Sequence, residues 1–553
     1  MSRKYAPLGR RMVAAAGALS LGVAGVVATS VAAVATTDDP SYGTINQDKT
    51  GSIIVHKHLK NDTGTVGKVD GTADAGGDTV DGVTFKAYKV SGLNLSKPAD
   101  WDKLATLVGN IPSNACADPA HPTLGDTAPA VDTDAAAEGT TAGGGLATLA
   151  NLPVAAYLVC ETAAPANIVE KAKPFVVTIP FPNTTNGGDG KWLYDVHAYP
   201  KNQKIEIDKT ISDQTVNGVG LGSRVQFPVS TTIPTLDAYT NFTYFYMRDR
   251  LDDRLTDGKV DKITLGTETL VENTDYVQSN TGGLVVVSFQ RAGLAKLKAN
   301  PGKKVEAIFS GTVSALGDGT IKNKATLVQD THYGAIPPNE PPSTPPTEPN
   351  DPPTSPEVST DWGNAQLLKF DANSGAAKTG IQGAKFKVYN AADPYAASCE
   401  SAVKSGDPIS VGGEDTFASA ANGVVSIEGL FVDKKQGAPD AQTVTPDHSQ
   451  RCYVIEEIEA PAGYTLPSGG KEFTGITVKA GKTTSAAVTV KNSKQDVPGL
   501  PLTGAAGKLI MMLGGATLVV VTHDPNVAAW CDRLIEIRDG RIHADTTAKG
   551  ARA

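Results

Sequence analysis

Three strand-like runs each set one lysine on the face that their apolar neighbours mark for burial. Strand side chains alternate between faces. Lys209 therefore looks the same way as Ile205, Ile207 and Ile211, Lys57 the same way as Ile53, Val55 and Leu59, and Lys369 the same way as Leu367. Acids repeat the pattern: Glu161 is in phase with Tyr157 and Val159, Glu457 with Tyr453 and Ile455, and Asp249 with Phe245 and Met247. So do amides. Asn323 is in phase with Ile321, Ala325 and Leu327, Asn492 with Val488 and Val490, and Asn202 with Val196 and Ala198, although Pro200 can end that strand first.

For any one lysine the plain alternatives are an edge position that snorkels into water or a buried ion pair. Three parallel sets of lysine, acid and amide favour chemistry. Burial lowers the pKa of an ammonium and raises that of a carboxyl. A neutral amine is a nucleophile, and a protonated acid polarises an amide carbonyl. The three groups can then join Lys Nζ to Asn Cγ with loss of ammonia, giving an intramolecular isopeptide bond between first and last strands. Such a reaction runs once per site, so the chain is not expected to be an enzyme.

Composition agrees with sheets. The 553 residues carry only 6% aromatics but 57 Gly and 35 Pro, which suits antiparallel strands and turns. The balance of 50 Lys+Arg against 59 Asp+Glu, without a basic block, argues against nucleic acid as a partner. Eight His and five Cys leave little for a metal centre, His56 and His58 read as decoration of an exposed strand face, and no cofactor is expected.

Arg3, Lys4, Arg10 and Arg11 precede an apolar run over 12–34 that ends at Ala33-Val34-Ala35, so residues 1–35 read as a secretory signal peptide. Export permits disulfides. Cys116 and Cys160 fall in one third of the chain and Cys399 and Cys452 in another, and pairing within those segments gives two loop-closing bridges. Half the positions from Pro337 to Pro356 are proline, a spacer within 334–359. Three β-sandwich domains are expected, at 41–200, 203–333 and 360–496; the first and third share the strands Val83-Thr84-Phe85-Lys86-Ala87-Tyr88 and Ala384-Lys385-Phe386-Lys387-Val388-Tyr389.

Further residues carry a family resemblance. Trp192 to Lys201 is similar to a pilin motif, Tyr157 to Pro165 and Tyr453 to Tyr464 to the E-box, and Leu500-Pro501-Leu502-Thr503-Gly504 to a sorting signal. In this order they resemble the sortase-assembled pilus shaft subunits of Gram-positive bacteria, with immunoglobulin-like, Cna protein B-type sandwiches in an elongated rod. The resemblance implies that a class C-type sortase cleaves between Thr503 and Gly504 and that Lys201 of another copy attacks the acyl-enzyme. The result would be a covalent head-to-tail polymer of identical subunits, joined to peptidoglycan by a housekeeping sortase and displayed on the cell wall as a fimbria. It assigns the cross-links Lys209 to Asn323 with Asp249, and Lys369 to Asn492 with Glu457. Family members often lack a bond in the first domain, so for Lys57, Glu161 and Asn202 both a cross-link and an ion pair stay open. Parity sets Lys201 out of phase with Val196, facing solvent at a domain junction.

The pattern breaks after Gly504, within 505–553. The apolar run 509–521 is short for a span and ends in Thr522-His523-Asp524 rather than a basic tail. Residues 517–542 resemble the end of an ABC transporter ATPase, with His523 at the switch-histidine position and Cys531 beyond it. No phosphate loop accompanies them, because Ile476 stands where the first glycine should precede Gly481-Lys482-Thr483. The fragment reads as a fused remnant or a gene-model junction and puts membrane retention during sorting in doubt. The rival to a shaft subunit is a tip or monomeric wall-anchored adhesin that binds a host receptor through the Gly- and Ala-rich segment 128–145.

Overall fold

Alternating apolar residues build sheets along nearly the whole of the described chain, and only two α-helices interrupt them, Pro98–Val108 and Arg291–Ala299. A computed structural model describes residues 45–60, 65–126, 128–184, 190–333, 347, 349, 351–436, 448–483, 485–486, 488–495, 522, 533–538 and 541–547. The leader 1–35, the sorting motif 500–504, the apolar run 509–521, His523, Cys531 and most of the Pro-rich spacer lie outside them. Two compact units result, Met1–Lys494 and Gln495–Ala553.

The first unit holds three β-sandwiches. In the first, Gly51–His56 lies between Leu146–Leu152 and Asp195–Ala198, opposite a sheet ordered Ala137–Thr140, Thr84–Val90, Ala155–Ala163, Phe175–Ile179. Ile53, Val55, Phe85, Tyr157, Val177 and Val196 fill the space between, as their parity requires. The strand Ala137–Thr140 comes from the Gly- and Ala-rich segment 128–145, so part of that segment is sheet. The helix Pro98–Val108 covers the outer face of the second sheet over a separate cluster that includes Tyr88, Leu104, Leu107 and Leu158. A disulfide between Cys116 and Cys160 ties this cover down, and a second joins Cys399 to Cys452. With sequence separations of 44 and 53, each removes about 4 kcal/mol of chain entropy from the unfolded state.

In the second sandwich one sheet runs Asp208–Lys209, Arg224–Thr232, Lys304–Val313, Leu255–Leu265, Glu268–Thr269 and the other Tyr276–Thr281, Leu284–Phe289, Thr240–Arg250, Ala325–Tyr333. The run from Lys204 to Lys209 is not one continuous strand. Lys201–Lys204 belongs to a small sheet with His58–Leu59 and Ile168–Glu170, whereas Asp208–Lys209 joins the second sandwich. The chain changes sheets between them, yet Ile205, Ile207, Lys209 and Ile211 all remain buried.

The third sandwich opens with the 14-residue strand Val358–Asp371. Thr320–Asn323, from the end of the second segment, pairs antiparallel with its first residues, Asn323 facing Val358 and Thr320 facing Asp361. Farther along, Val488–Asn492 pairs parallel with it, Lys369 facing Val490. One strand therefore belongs to both neighbourhoods. The second unit contains the hairpin Arg533–Arg538 with Arg541–Thr547. Among the described residues no helix is long and apolar enough to cross a membrane.

Backbone approach constrains the long strand. A Cβ on Gly363 would lie 1.8 Å from the carbonyl oxygen of Lys479, whereas one on Gly109, which has a right-handed φ of −72°, would meet nothing closer than 3.8 Å. Chemical denaturation should show Gly363→Ala destabilised by about 2 kcal/mol or more, with Gly109→Ala within about 0.5 kcal/mol of the parent; equal effects would contradict the close approach.

Candidate functional site

Parallel pairing of first and last strands explains how distant residues meet. Lys369 faces Val490, so Asn492, two residues on, is its diagonal neighbour on the same face. In the first sandwich His58 faces Lys201 and Leu59 faces Asn202, which sets Lys57 and Asn202 in the same relation. The acid comes from the opposite sheet: Glu457 on Gln450–Glu459, Glu161 on Ala155–Ala163 and Asp249 on Thr240–Arg250.

The predicted residues gather into three trios, every member of which is buried. In the third sandwich Lys369 Nζ donates to Glu457 Oε2 at 2.6 Å and also to Asn492 Oδ1, while Asn492 Nδ2 donates to Glu457 Oε1 at 2.6 Å. The first repeats this closed triangle. Lys57 Nζ donates to Glu161 Oε2 at 2.8 Å and to Asn202 Oδ1, and Asn202 Nδ2 donates to Glu161 Oε1 at 2.6 Å. The backbone N–H of Ala172 adds a bond of 2.9 Å to Glu161 Oε2.

The middle trio differs. Lys209 Nζ donates to Asp249 Oδ2, and Asn323 Nδ2 reaches the same oxygen at 3.3 Å. Asp249 Oδ1 and Asn323 Oδ1 are buried without a hydrogen bond. Aspartate is one methylene shorter than glutamate, so one of its oxygens serves both neighbours and the amine and amide do not bond directly.

Burial pushes all three ammonium groups below the usual lysine range, against the opposing pull of Glu161, Asp249 and Glu457. It likewise pushes the Asp249 carboxyl up, with Lys209 acting against it. Both shifts favour the neutral pair. Parity alone missed one common feature: a phenylalanine ring lies beneath each ammonium, Phe85 at 5.6 Å from Lys57, Phe227 at 5.0 Å from Lys209 and Phe386 at 5.8 Å from Lys369. Phe85 and Phe386 occupy matching places in the repeated strands, so that much was written in the sequence; Phe227 has no such marker.

Lys201 opens the strand next to Asn202, is half-buried, and donates to the carbonyl of Thr65 at 3.4 Å. Its companions correct the reading of the histidines. His58 is buried, and His56 is half-buried, stacked on Tyr199 at 4.6 Å with Nε2 2.8 Å from His197 Nδ1. They lie under the segment 65–78, where Gly67 and Gly71 approach the rings of Tyr199 and His197, not on an exposed face. Among the described residues no three His, Cys, Asp or Glu side chains stand in metal-ligand geometry.

The description "Gram-positive pilin subunit D1, N-terminal domain" matches residues 48–203. The chain is 45% identical over 528 residues to the fimbrial subunit type 2 of Actinomyces naeslundii, spanning 94% of this chain and 96% of that protein. It resembles the full-length major pilin SpaD of Corynebacterium diphtheriae with a TM-score of 0.55 and 25% identity, over 82% of this chain and 100% of SpaD. The major pilin SpaA of the same organism, described as pointing to a modular pilus assembly with stabilising isopeptide bonds, matches with a TM-score of 0.52 and 26% identity over 80% of this chain and 100% of SpaA. A stretch of 57 residues is 44% identical to the macrolide export ATP-binding/permease protein MacB of Campylobacter fetus, only 9% of either chain.

Asp249→Asn removes the acid and leaves Lys209 as the titrating buried group. With its folded pKa below the unfolded value of about 10.4, the unfolded state binds the extra proton, so stability rises with pH up to that value. Guanidinium unfolding of this variant at pH 7, 8 and 9 should show the rise; a flat or falling trend would contradict a buried, depressed amine.

Proposed function

The chain belongs to the fimbrial subunits of Gram-positive bacteria, and from that membership we propose that it is a pilus shaft subunit locked by three internal isopeptide bonds and linked to its neighbours through Lys201. Pilus subunits are structural proteins of the cell surface, and this chain is one of them rather than an enzyme.

The observation that carries the cross-link reading is the acid placed between amine and amide in all three buried trios. In the reaction, neutral Lys Nζ attacks Asn Cγ. The acid gives its proton to Nδ2 and takes the one lost by Nζ, so it ends protonated as it began, and the carbonyl reforms as Nδ2 leaves as ammonia. One C–N bond forms and one breaks. The paired oxygens of Glu161 and Glu457 suit this relay, because one faces Nζ and the other faces Nδ2. In the middle trio both contacts fall on Asp249 Oδ2, and Asn323 turns to bring Cγ to Lys209. The low-dielectric surroundings favour the reaction because it removes a buried charge.

Lys201 serves as the acceptor for the Thr503 carbonyl of the next subunit, delivered by a class C-type sortase, and a housekeeping sortase attaches the finished polymer to peptidoglycan. Three domains, 41–200, 203–333 and 360–496, with a spacer at 334–359, organise this function. Lys201 and Asn202 are consecutive, so the bond between subunits and the bond within the first domain meet on one short strand.

Two measurements test the proposal. Intact mass of the purified chain should fall below the sequence mass by about 17 Da per bond, and Asn202→Ala, Asn323→Ala and Asn492→Ala should each abolish one such loss; full mass in the parent would leave only ion pairs. Lys201→Ala should eliminate the high-mass ladder on a denaturing gel while keeping the internal mass losses. An unchanged ladder would assign the acceptor elsewhere and reopen the tip-adhesin reading.

A further inference from the structure

The middle trio lacks what positions the amide in the other two. In those, the lysine itself donates to the asparagine oxygen. The amide strand also pairs in parallel with the strand that carries or adjoins the lysine: Val488–Asn492 with Val358–Asp371, and Lys201–Lys204 with His58–Leu59. In the second sandwich Asp208–Lys209 pairs with Arg224–Thr232, whereas Thr320–Asn323 pairs with Val358–Asp371, the opening strand of the third. Asn323 Oδ1 accepts no hydrogen bond, and Nδ2 reaches Asp249 at 3.3 Å. The placement of this amide therefore falls to its backbone.

Residues 353–362, from the end of the spacer into that opening strand, hold the backbone on both sides of Asn323. Before it, the N–H of Trp362 donates to the Gly319 carbonyl at 2.7 Å, and Thr320 Oγ1 donates to Asp361 Oδ1 at 2.8 Å. Asn323 itself faces Val358. After it, the N–H of Ala325 donates to Ser355 Oγ at 2.9 Å, and the N–H of Ser355 donates back to the Ala325 carbonyl at 2.9 Å. The N–H of Leu327 donates to the Pro353 carbonyl at 2.9 Å. Ser355 is buried, and its hydroxyl donates in turn to the Pro356 carbonyl at 2.9 Å. A buried N–H needs an acceptor, so the Ser355 oxygen pins the chain two residues beyond the amide.

We propose that residues 353–362 position Asn323 for the middle cross-link, with Ser355 as the principal positioning residue, so that Lys209 and Asn323 join only after this segment has docked on the second sandwich. The inference rests on the isopeptide reading above and adds an order of events to it. In the first and third sandwiches amine, acid and amide all belong to one sandwich, and each trio is complete when that sandwich closes. The middle trio waits for its neighbour. Attack requires the reacting atoms about 3–3.5 Å apart and aligned, and a misplacement of about 1 Å can cost about 100-fold in rate. A peg two residues from the amide acts on that scale. The second sandwich is then locked only once it is joined in register to the third.

Pulse-labelled cell-free synthesis of the full chain, followed by tryptic digestion and mass spectrometry, reads the junctions Lys209–Asn323 and Lys369–Asn492 separately as joined peptides. Ser355→Ala should slow the appearance of the middle junction by about tenfold or more and leave the third at the parent rate. Ser355→Thr, which keeps the oxygen, should restore it. Thr320→Val, which removes the hydroxyl at the other end of the amide strand, should also slow the middle junction alone. A parent rate at the middle junction in Ser355→Ala, or no rescue by Ser355→Thr, would overturn the proposal. Loss of both junctions in Ser355→Ala would report misfolding, and Thr320→Val then decides: a parent rate at the middle junction, or equal slowing of both, overturns the proposal. Joined peptides at neither position in the parent would sink the isopeptide reading itself and this inference with it.

Discussion

A lysine ammonium held among apolar side chains is stable only if something nearby compensates for lost water, and three such groups organise this molecule. Each sits inside a sandwich, against a phenylalanine ring, with a carboxylate from the opposite sheet and an amide from a late strand. An unpaired buried charge costs several kcal/mol, so opening strand, acid strand and amide strand must assemble together or leave a charge stranded. The trio therefore specifies sandwich closure even before any covalent chemistry.

The three versions are variations on one plan. Glutamate in the first and third sandwiches spans amine and amide with separate oxygens, whereas aspartate in the second uses one oxygen for both. The second is also where the amide strand pairs with the opening strand of the third, so that Asn323 and Lys369 belong to strands hydrogen-bonded to one another. For a subunit pulled between Lys201 and its C-terminal end, the proposed bonds and this shared strand place short, stiff connections along the path of force. Single-turnover chemistry suits such a role, because the product is the structure.

The same strands carry different residues on their two faces. Inward residues fill the sandwich interior, and their neighbours in sequence point away from it: Lys201 beside Asn202, Arg248 and Arg250 beside Asp249, and Lys322 and Lys324 beside Asn323. Residue-by-residue alternation makes this economical, since adjacent positions on one strand serve opposite purposes without competing for space.

Much of this was legible in the chain itself. Period-two patterning marked the inward lysines, acids and amides, cysteine placement matched the two bridges, and the repeated strands pointed to Phe85 and Phe386. Such signals are local, because each Cβ direction follows from the backbone of its own strand. Other features depended on partners far away in sequence. The change of sheet between Lys204 and Asp208, the burial of His58 under the segment 65–78, the sharing of Val358–Asp371, and the meeting of Arg248 and Arg250 with Lys322 and Lys324 are set by which strands pair and in what register. Sequence determined which way each side chain faces; tertiary structure alone decided what it finds there, because long-range pairing selects a neighbour that no local periodicity encodes.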